Sequence, residues 1–407
     1  MSTPAGANSD LSLYHLLDPE VLADPYPLYS RLRTEDPVHW DPFLHAWVVT
    51  RYEDVVTVLT KFSADRTPTP EKLQAMGLAS LSPIAAVMVK QMLFMDPPVH
   101  TRIRGLASAA FTPARVQHLR SQVQEVVNQL LDQVQDRGEM EVMSEFANPL
   151  PAVVTAGMLG VPISDHEQLK NWSADFAEML GNFQHNPGRA DKVLKSTEEM
   201  VSYFRDAMRD IRQKPCPGLI HALVSAEVDG DRLSDEEIIA NCVVTMVGGQ
   251  ETTTNLIGNG LVALAEHPAE KRRLIEHPDL IKTAVEEVLR YESSNQLGNR
   301  MTTEHVELGG IALLPGTPVT LCIGAANRDP AHFGDPERFD IARTPNRHLA
   351  FATGAHQCAG MALARLEGAI AMSRFLKRFP NYALNGTPLR GGRVRFRGFL
   401  SVPCAAG

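Results

Sequence analysis

One cysteine in this chain is surrounded by the residue types that a metal-bound thiolate requires. Cys358 lies in the run Phe351-Ala-Thr-Gly354-Ala-His356-Gln-Cys358-Ala-Gly360, directly before an apolar helical pattern. Small neighbours would let a large flat group approach the backbone, and amides at the start of a helix would lower the pKa of the thiol. A lone cysteine is otherwise a small buried apolar side chain. The glycines, phenylalanine and histidine at fixed offsets favour the metal-bound thiolate.

A second polar run interrupts what should be a long buried helix. Ser234-Asp-Glu-Glu237 forms a capping box and no proline follows until Pro268, which predicts one helix of about 32 residues. Its middle reads Gly248-Gly249-Gln250-Glu251-Thr252, where an apolar sequence is expected. We interpret the glycines as a means of opening the helix to a ligand, with the carboxylate and hydroxyl as a proton relay. A tolerated defect in a core helix is the alternative.

Two pairs of polar residues lie on shared helix faces. His100 and Arg104 are four positions apart after paired prolines, so they share a face that could hold an anion. The spacing alone favours a solvated basic patch. Glu287 and Arg290 are three apart and can form an ion pair, which in isolation is an ordinary surface feature.

The elements that position these residues indicate a mainly α protein with a smaller β region, an α+β class. We predict a disordered N-terminal tail over residues 1–20 and one domain over 21–407. Alternation places β structure at about 36–50, 304–323 and 382–403, and the polar stretch 293–300 is interpreted as a loop. The segment 64–87 is predicted to be a long loop because it is rich in proline, threonine and serine.

Composition excludes several classes of protein. The net charge of −9 and the dispersed basic residues argue against a nucleic-acid binder. No signal peptide and no apolar stretch of the ~18 residues needed to span a membrane is visible. Five cysteines are scattered without a paired spacing, which favours a reducing cytoplasmic setting.

Together these motifs resemble the cytochrome P-450 family in its soluble bacterial form, from about residue 20 onward. The resemblance implies a long central helix crossing a heme b group, with Cys358 as the axial thiolate of the iron. It also implies a carboxylic acid and alcohol pair for proton delivery, a Glu-Arg-Arg triad that supports the haem loop, and a set of residues that bind the haem propionates. The pair is Glu251 and Thr252, the triad is Glu287, Arg290 and Arg338, and the propionate residues are His100, Arg104, Arg300 and His356.

The departures from the family pattern are few. Gly248 replaces a more frequent alanine, Gln250 replaces a frequent histidine, and Ala352 stands where glycine is common. None of them removes a group that the chemistry needs.

The reaction implied by the resemblance is insertion of one oxygen atom from O2 into a mainly apolar small molecule, by hydroxylation or epoxidation. Because no nucleotide loop, flavin domain or iron–sulfur spacing is visible, a separate ferredoxin and ferredoxin reductase are implied as electron donors. A monomer that acts in secondary metabolism is expected. The alternatives are an unusual oxidative outcome on the same scaffold, such as nitration, coupling or desaturation, and a haem-binding sensor without turnover.

Five segments are expected by resemblance to line the substrate pocket: residues 67–93, 172–189, the Thr245 turn, 293–299 and 394–399. Phe396 and Phe399 are candidate pocket residues in the last of these. The loop after the Glu287 helix is unusually polar, which suggests a substrate with amide or hydroxyl groups, such as a natural-product intermediate. Its polar members are Ser294, Asn295, Gln296 and Asn299.

Overall fold

The structure is a computed structural model that describes residues 9–66, 69–75, 79–108, 111–181, 187–228 and 230–406. Its helices are α1 (Pro19–Ala23), α2 (Tyr26–Glu35), α3 (Tyr52–Lys61), α4 (Pro70–Ala75), α5 (Ser82–Met88), α6 (Val99–Ser108), α7 (Pro113–Asp132), α8 (Pro149–Leu159), α9 (His166–Gly181), α10 (Pro187–Gln213), α11 (Leu219–Ser225), α12 (Asp235–Glu266), α13 (Pro268–Glu276), α14 (Ile281–Tyr291), α15 (Ile323–Ala326) and α16 (Met361–Arg378).

The strands are short and helices predominate, so the predicted mainly α, α+β class is confirmed. The strands are β1 (Val38–Asp41), β2 (Ala46–Val49), β3 (Glu139–Glu141), β4 (Glu227–Val228), β5 (Asp231–Arg232), β6 (Leu297–Met301), β7 (Val306–Leu308), β8 (Ile311–Leu313), β9 (Pro318–Cys322), β10 (Ala383–Leu384), β11 (Leu389–Arg390), β12 (Phe399–Ser401) and β13 (Pro403–Ala405).

The largest sheet joins distant parts of the chain in the order β1-β2-β9-β6. β2 runs parallel to β9, with Trp47 opposite Val319, and β6 runs antiparallel to β9, with Arg300 also opposite Val319. Strand β6 was predicted as loop. Its polar residues hide the strand in the sequence, because they face a cavity rather than an apolar core.

Helix α12 is the predicted long helix and has the predicted length of 32 residues. The Ser234 hydroxyl accepts from the amide of Glu237, and the Glu237 carboxylate accepts from the amide of Ser234, so the capping box is present. The helix packs against α8, α9 and α16. Its second half enters the main core through Leu256 and Leu261, which fixes α12 across the middle of the molecule.

The predicted disordered tail over residues 1–20 is wrong from residue 9 onward, and residues 1–8 lie outside the described part of the chain. Leu11, Leu13 and Leu16 are buried in one cluster with α2. The Asp41 carboxylate accepts from the Leu13 amide at 2.7 Å. The leucines therefore bind this segment to the sheet.

The segment 64–87, predicted to be one long loop, instead contains α4 and most of α5. Both helices begin at or next to a proline.

A buried ion pair holds the long irregular segment that precedes Cys358. The guanidinium of Arg290 donates to the Glu287 carboxylate at 2.8 and 2.9 Å, and both side chains are fully buried. Arg290 also donates to the carbonyl oxygens of Asn327, Pro336 and Arg338 at 2.8–3.0 Å. The pair is therefore a structural centre rather than the ordinary surface feature that its spacing suggested.

The third member of this network is Arg343 and not the predicted Arg338. The Arg343 Nε atom donates to Glu287 at 3.2 Å, and its other nitrogens donate to the carbonyls of Gly334 and Arg338. The Arg338 side chain is exposed, and only its main chain joins the network. Both arginines follow the same turn, so the sequence alone did not show which one points inward.

No helix within the described residues is long and apolar enough to cross a membrane.

We predict that Arg343→Ala lowers the free energy of unfolding by about 2–4 kcal/mol, because it leaves part of the buried Glu287 carboxylate without a donor. The matched control Arg338→Ala should change it by less than about 0.5 kcal/mol. Urea unfolding followed by circular dichroism measures both. Equal effects of the two variants would contradict the assignment of Arg343.

Candidate active site

A single large cavity brings most of the predicted site residues together. Its volume is about 350 Å³, which lies within the roughly 300–1,000 Å³ of an ordinary ligand pocket. Its walls come from α6, α12, β6, the Cys358 loop, α16 and residues 395–396. The predicted site residues that line it are His100, Arg104, Thr252, Arg300, His356 and Cys358.

Cys358 lies at a turn just before α16, as predicted. Its amide donates to the Phe351 carbonyl at 2.9 Å, and Gly360 is the N-cap residue of the helix. Burial raises the pKa of the thiol, while the amides of Gly360 and Met361 act to lower it. The expected lowering of the pKa is therefore wrong for the free thiol, because desolvation outweighs the amides.

The loop around Cys358 uses left-handed backbone at two positions. Gly354 has φ of 76°, and a Cβ atom there would meet the Thr60 side chain at 3.3 Å and the Leu59 carbonyl at 3.4 Å. Ala352 has φ of 54°, a conformation that costs a residue with a Cβ atom roughly 1–2 kcal/mol. Ala352 is the position at which the family pattern commonly has glycine.

Two histidines and two arginines lie at one side of the cavity. The rings of His100 and His356 are 4.2 Å apart between centroids. Burial, aided by the proximity of His100 and by the charge of Arg300, lowers the pKa of His356 to about 4, and burial also lowers the pKa of His100. Both imidazoles are therefore neutral near pH 7 and can each donate one N–H group. Arg104 donates to the Gln357 carbonyl at 2.7 Å.

These polar groups fit the edge of a haem. The Nε2 atoms of His100 and His356 and the Nε atom of Arg300 are buried and have no hydrogen-bond partner among the described residues. Buried polar atoms are ordinarily satisfied. Three unsatisfied nitrogens on one side of a cavity, with a thiol in the same cavity, match a flat group that carries carboxylates and a thiolate-bound metal.

Thr252 lies on the wall formed by α12. Its hydroxyl donates to the Gly248 carbonyl at 2.9 Å, and α12 remains helical throughout this stretch. The prediction that the glycines open the helix is therefore wrong, because the helix is continuous here. Space is provided instead by Gly248, where a Cβ atom would have no neighbour within 4 Å.

Glu251 does not line the cavity. Its carboxylate pairs with Arg393 at 2.6 Å, and Arg393 also pairs with Glu178 of α9 at 2.8 Å. The structure thus separates the two members of the predicted acid and alcohol pair. The sequence could not show this, because the arginine lies about 140 residues further along the chain.

The predicted pocket segments are only partly confirmed. Thr245 and Phe396 line the cavity, whereas Phe399 is packed in the main core. Gln296 is turned away from the cavity and donates to the Ser293 carbonyl at 2.7 Å. Residues 67–68, 76–78 and 182–186 of the predicted segments lie outside the described residues.

Two charged residues of the cavity, Arg66 and Glu367, were missed by sequence reasoning, and Arg395 was included only as a member of the predicted segment 394–399. Burial raises the pKa of Glu367 to about 8, and its Oε2 atom has no partner among the described residues. Arg395 carried a usable signal, since it occupies an alternating position in the run Arg393-Val-Arg395-Phe-Arg397.

The chain belongs to the cytochrome P450 family, whose family model, Cytochrome P450, matches residues 47–387. It is 39% identical over 369 residues to the biotin biosynthesis cytochrome P450 of Bacillus subtilis strain 168, covering 90% of this chain and 91% of that one. It is accordingly a P450 monooxygenase that uses heme b.

Two solved structures are also similar over nearly their whole length. P450BioI in complex with acyl carrier protein ligated to hexadec-9Z-enoic acid gives a TM-score of 0.90 at 37% identity, with 96% of this chain and 99% of that chain covered. A myxobacterial cytochrome P450 in complex with myristic acid gives 0.88 at 36% identity, with 97% and 100% covered.

We predict that Ala352→Gly raises the free energy of unfolding by about 0.5–1 kcal/mol, because glycine removes the left-handed strain at a smaller entropic cost. Gly354→Ala, two residues away, should lower it because the new Cβ would meet Thr60 and Leu59. Thermal unfolding of the haem-loaded protein measures both changes. A destabilised Ala352→Gly variant would contradict the strain at this position.

Proposed function

We propose that this P450 inserts one oxygen atom from O2 into a mainly apolar small molecule, by hydroxylation or epoxidation. The supporting observation is that one cavity contains the thiol of Cys358, the unsatisfied nitrogens at its side and the hydroxyl of Thr252. Haem, when bound, supplies the reductive activation of dioxygen. The proposal assigns every other task to side chains of this chain.

In this proposal Cys358 would hold the haem iron through its sulfur, and four side chains would bind the propionates. His100 and His356 donate from neutral imidazoles, while Arg104 and Arg300 supply the positive charges that two carboxylates require. These roles rest on the resemblance and on the unsatisfied atoms described above. The buried thiol becomes a thiolate when it binds the metal, because a coordinated thiol loses its proton.

Thr252 and Glu251 are proposed to deliver protons. The Thr252 hydroxyl donates to Gly248, so its oxygen lone pairs remain free to accept a hydrogen bond from water in the cavity. Glu251 is held by Arg393 away from that oxygen. We therefore propose that the Glu251 carboxylate releases Arg393 to carry a proton from outside the cavity toward Thr252.

The substrate is proposed to carry a long apolar portion, because leucine, methionine and phenylalanine side chains line much of the cavity. The relatives solved with myristic acid and with a hexadecenoyl carrier protein support a fatty-acid-like molecule or a natural-product intermediate.

We propose a ferredoxin and its reductase as electron donors in the cytoplasm. Ferredoxin would dock at the exposed residues Gly354, Ala355 and Gln357 beside the sulfur.

We predict that Cys358→Ala abolishes the red-shifted Soret band of the reduced carbon monoxide complex, for which the family is named, because no thiolate would remain on the iron. A difference spectrum of the reduced protein measures this. Cys242→Ala is the control, since that thiol is fully buried in another cluster. Full retention of the band in Cys358→Ala would disprove the ligand assignment.

We also predict that Thr252→Ala retains haem but diverts most reducing equivalents to peroxide, because the hydroxyl that guides protons is lost. The measurement compares peroxide with product for each NADPH consumed, using a surrogate ferredoxin and reductase. Thr254→Ala is the matched control, because its hydroxyl donates to the Ala147 carbonyl at 3.2 Å outside the cavity. Unchanged coupling in Thr252→Ala would exclude the relay role.

A further inference from the structure

The cavity carries more positive charge than two haem propionates would balance. Arg66, Arg104, Arg300 and Arg395 all line it, and Arg104 and Arg300 are assigned above to the propionates. Asp96 is the carboxylate whose charge acts on Arg66 and Arg300. Glu367 also lines the cavity, but burial raises its pKa to about 8, so it is mostly protonated near pH 7. Within the described residues, one positive charge therefore remains without a balancing anion.

That charge is best assigned to Arg395, because Asp96 acts on Arg66 and Arg300 but no carboxylate among the described residues acts on Arg395. The other arginines of the same segment are all paired. Arg390 and Arg397 both form ion pairs with Glu292, at 3.3 and 2.6 Å, and Arg393 pairs with two further glutamates. Arg395 has no ion-pair partner in the part of the chain that the structure describes. Arg395 is half-buried, and an unpaired cation that is partly removed from water is costly unless it has a function or a ligand.

The guanidinium of Arg395 is held in a fixed position. The Nη2 atom of Arg395 donates to the Asn299 Oδ1 atom at 2.6 Å. The main-chain carbonyl oxygen of Arg395 accepts from the main-chain N–H group of Gln296 at 2.8 Å. Burial lowers the pKa of Arg395 to about 10, so the side chain stays charged near pH 7. One contact to a neutral amide leaves the other donors of the planar fork for a ligand.

A second polar group lies in the same wall of the cavity. The Ser294 hydroxyl is buried, lines the cavity and has no hydrogen-bond partner among the described residues. Asn295 forms an antiparallel β-bridge with Phe396. Ser294 and Arg395 each lie one residue from this bridge, on adjacent segments and on opposite sides of it, and both line the cavity. A hydroxyl without a partner can donate to an anion bound by the guanidinium.

We propose that Arg395, positioned by Asn299 and assisted by the Ser294 hydroxyl, binds the carboxylate of the substrate. The substrate class would then be apolar carboxylic acids, with the apolar lining of the cavity receiving the hydrocarbon portion. A guanidinium and a carboxylate match in planar shape as well as in charge. This inference rests on the proposed function, since it concerns the substrate of the same site.

The test is a spectral titration that follows displacement of the iron's water ligand, with straight-chain acids from decanoic to hexadecanoic acid and the methyl ester of each. The wild-type protein should bind the acid more tightly than its ester. Arg395→Gln should weaken binding of the acid by about 10- to 100-fold and binding of the ester by no more than about threefold. Arg395→Lys is the matched control and should keep much of the preference, because it keeps the charge.

The haem content of each variant, measured as its pyridine complex, separates this role from propionate binding. Loss of haem in Arg395→Gln would overturn the inference, as would an equal weakening for acid and ester. A wild-type protein without preference for any of the acids would overturn it too, while leaving the monooxygenase proposal intact. Failure of the proposed function would appear differently, as the absence of the red-shifted carbon monoxide band in the wild-type protein.

Discussion

The buried ion pair between Glu287 and Arg290 is the interaction on which the rest of the structure depends. Residues 327–353 form no regular helix or strand, so their main-chain groups need partners from elsewhere. Arg290 of α14 supplies several of them by donating to carbonyl oxygens of that segment, and Arg343, which lies within the segment, donates to further ones. The segment leads directly into the Cys358 loop. The position of the sulfur in the cavity thus depends on one guanidinium group from helix α14 and one from the segment itself.

Electrostatics divides the arginines of the molecule into two groups. Those that support the framework, such as Arg290 and Arg397, each face a buried glutamate and several carbonyls. Those that line the cavity, such as Arg300 and Arg395, have neutral partners in the protein. Because a buried charge needs a counter-charge, the second group is suited to anions that come from outside the chain.

Sequence reasoning succeeded where a local signal determines the structure. The capping box at Ser234 predicted the start of α12, and the absence of proline before Pro268 predicted its length. The spacing around Cys358 predicted its turn. It failed where a side chain selects between distant partners. Nothing near Arg338 shows that Arg343 points inward, and nothing near Glu251 shows that Arg393 holds it. Strand β6 was also predicted wrongly as a loop. A strand that faces a cavity with polar edges lacks the usual alternation of apolar and polar residues.

The parallel pairing of β2 with β9 imposes an order on biosynthesis. Trp47 and Val319 are partners in the sheet, yet about 270 residues separate them, so β2 cannot acquire its parallel neighbour until most of the chain has left the ribosome. At ~5–20 residues per second this delay is roughly 15–55 s. During that time β2 exposes an unpaired edge, and its protection rests on the β1 hairpin and on the leucines of the N-terminal segment.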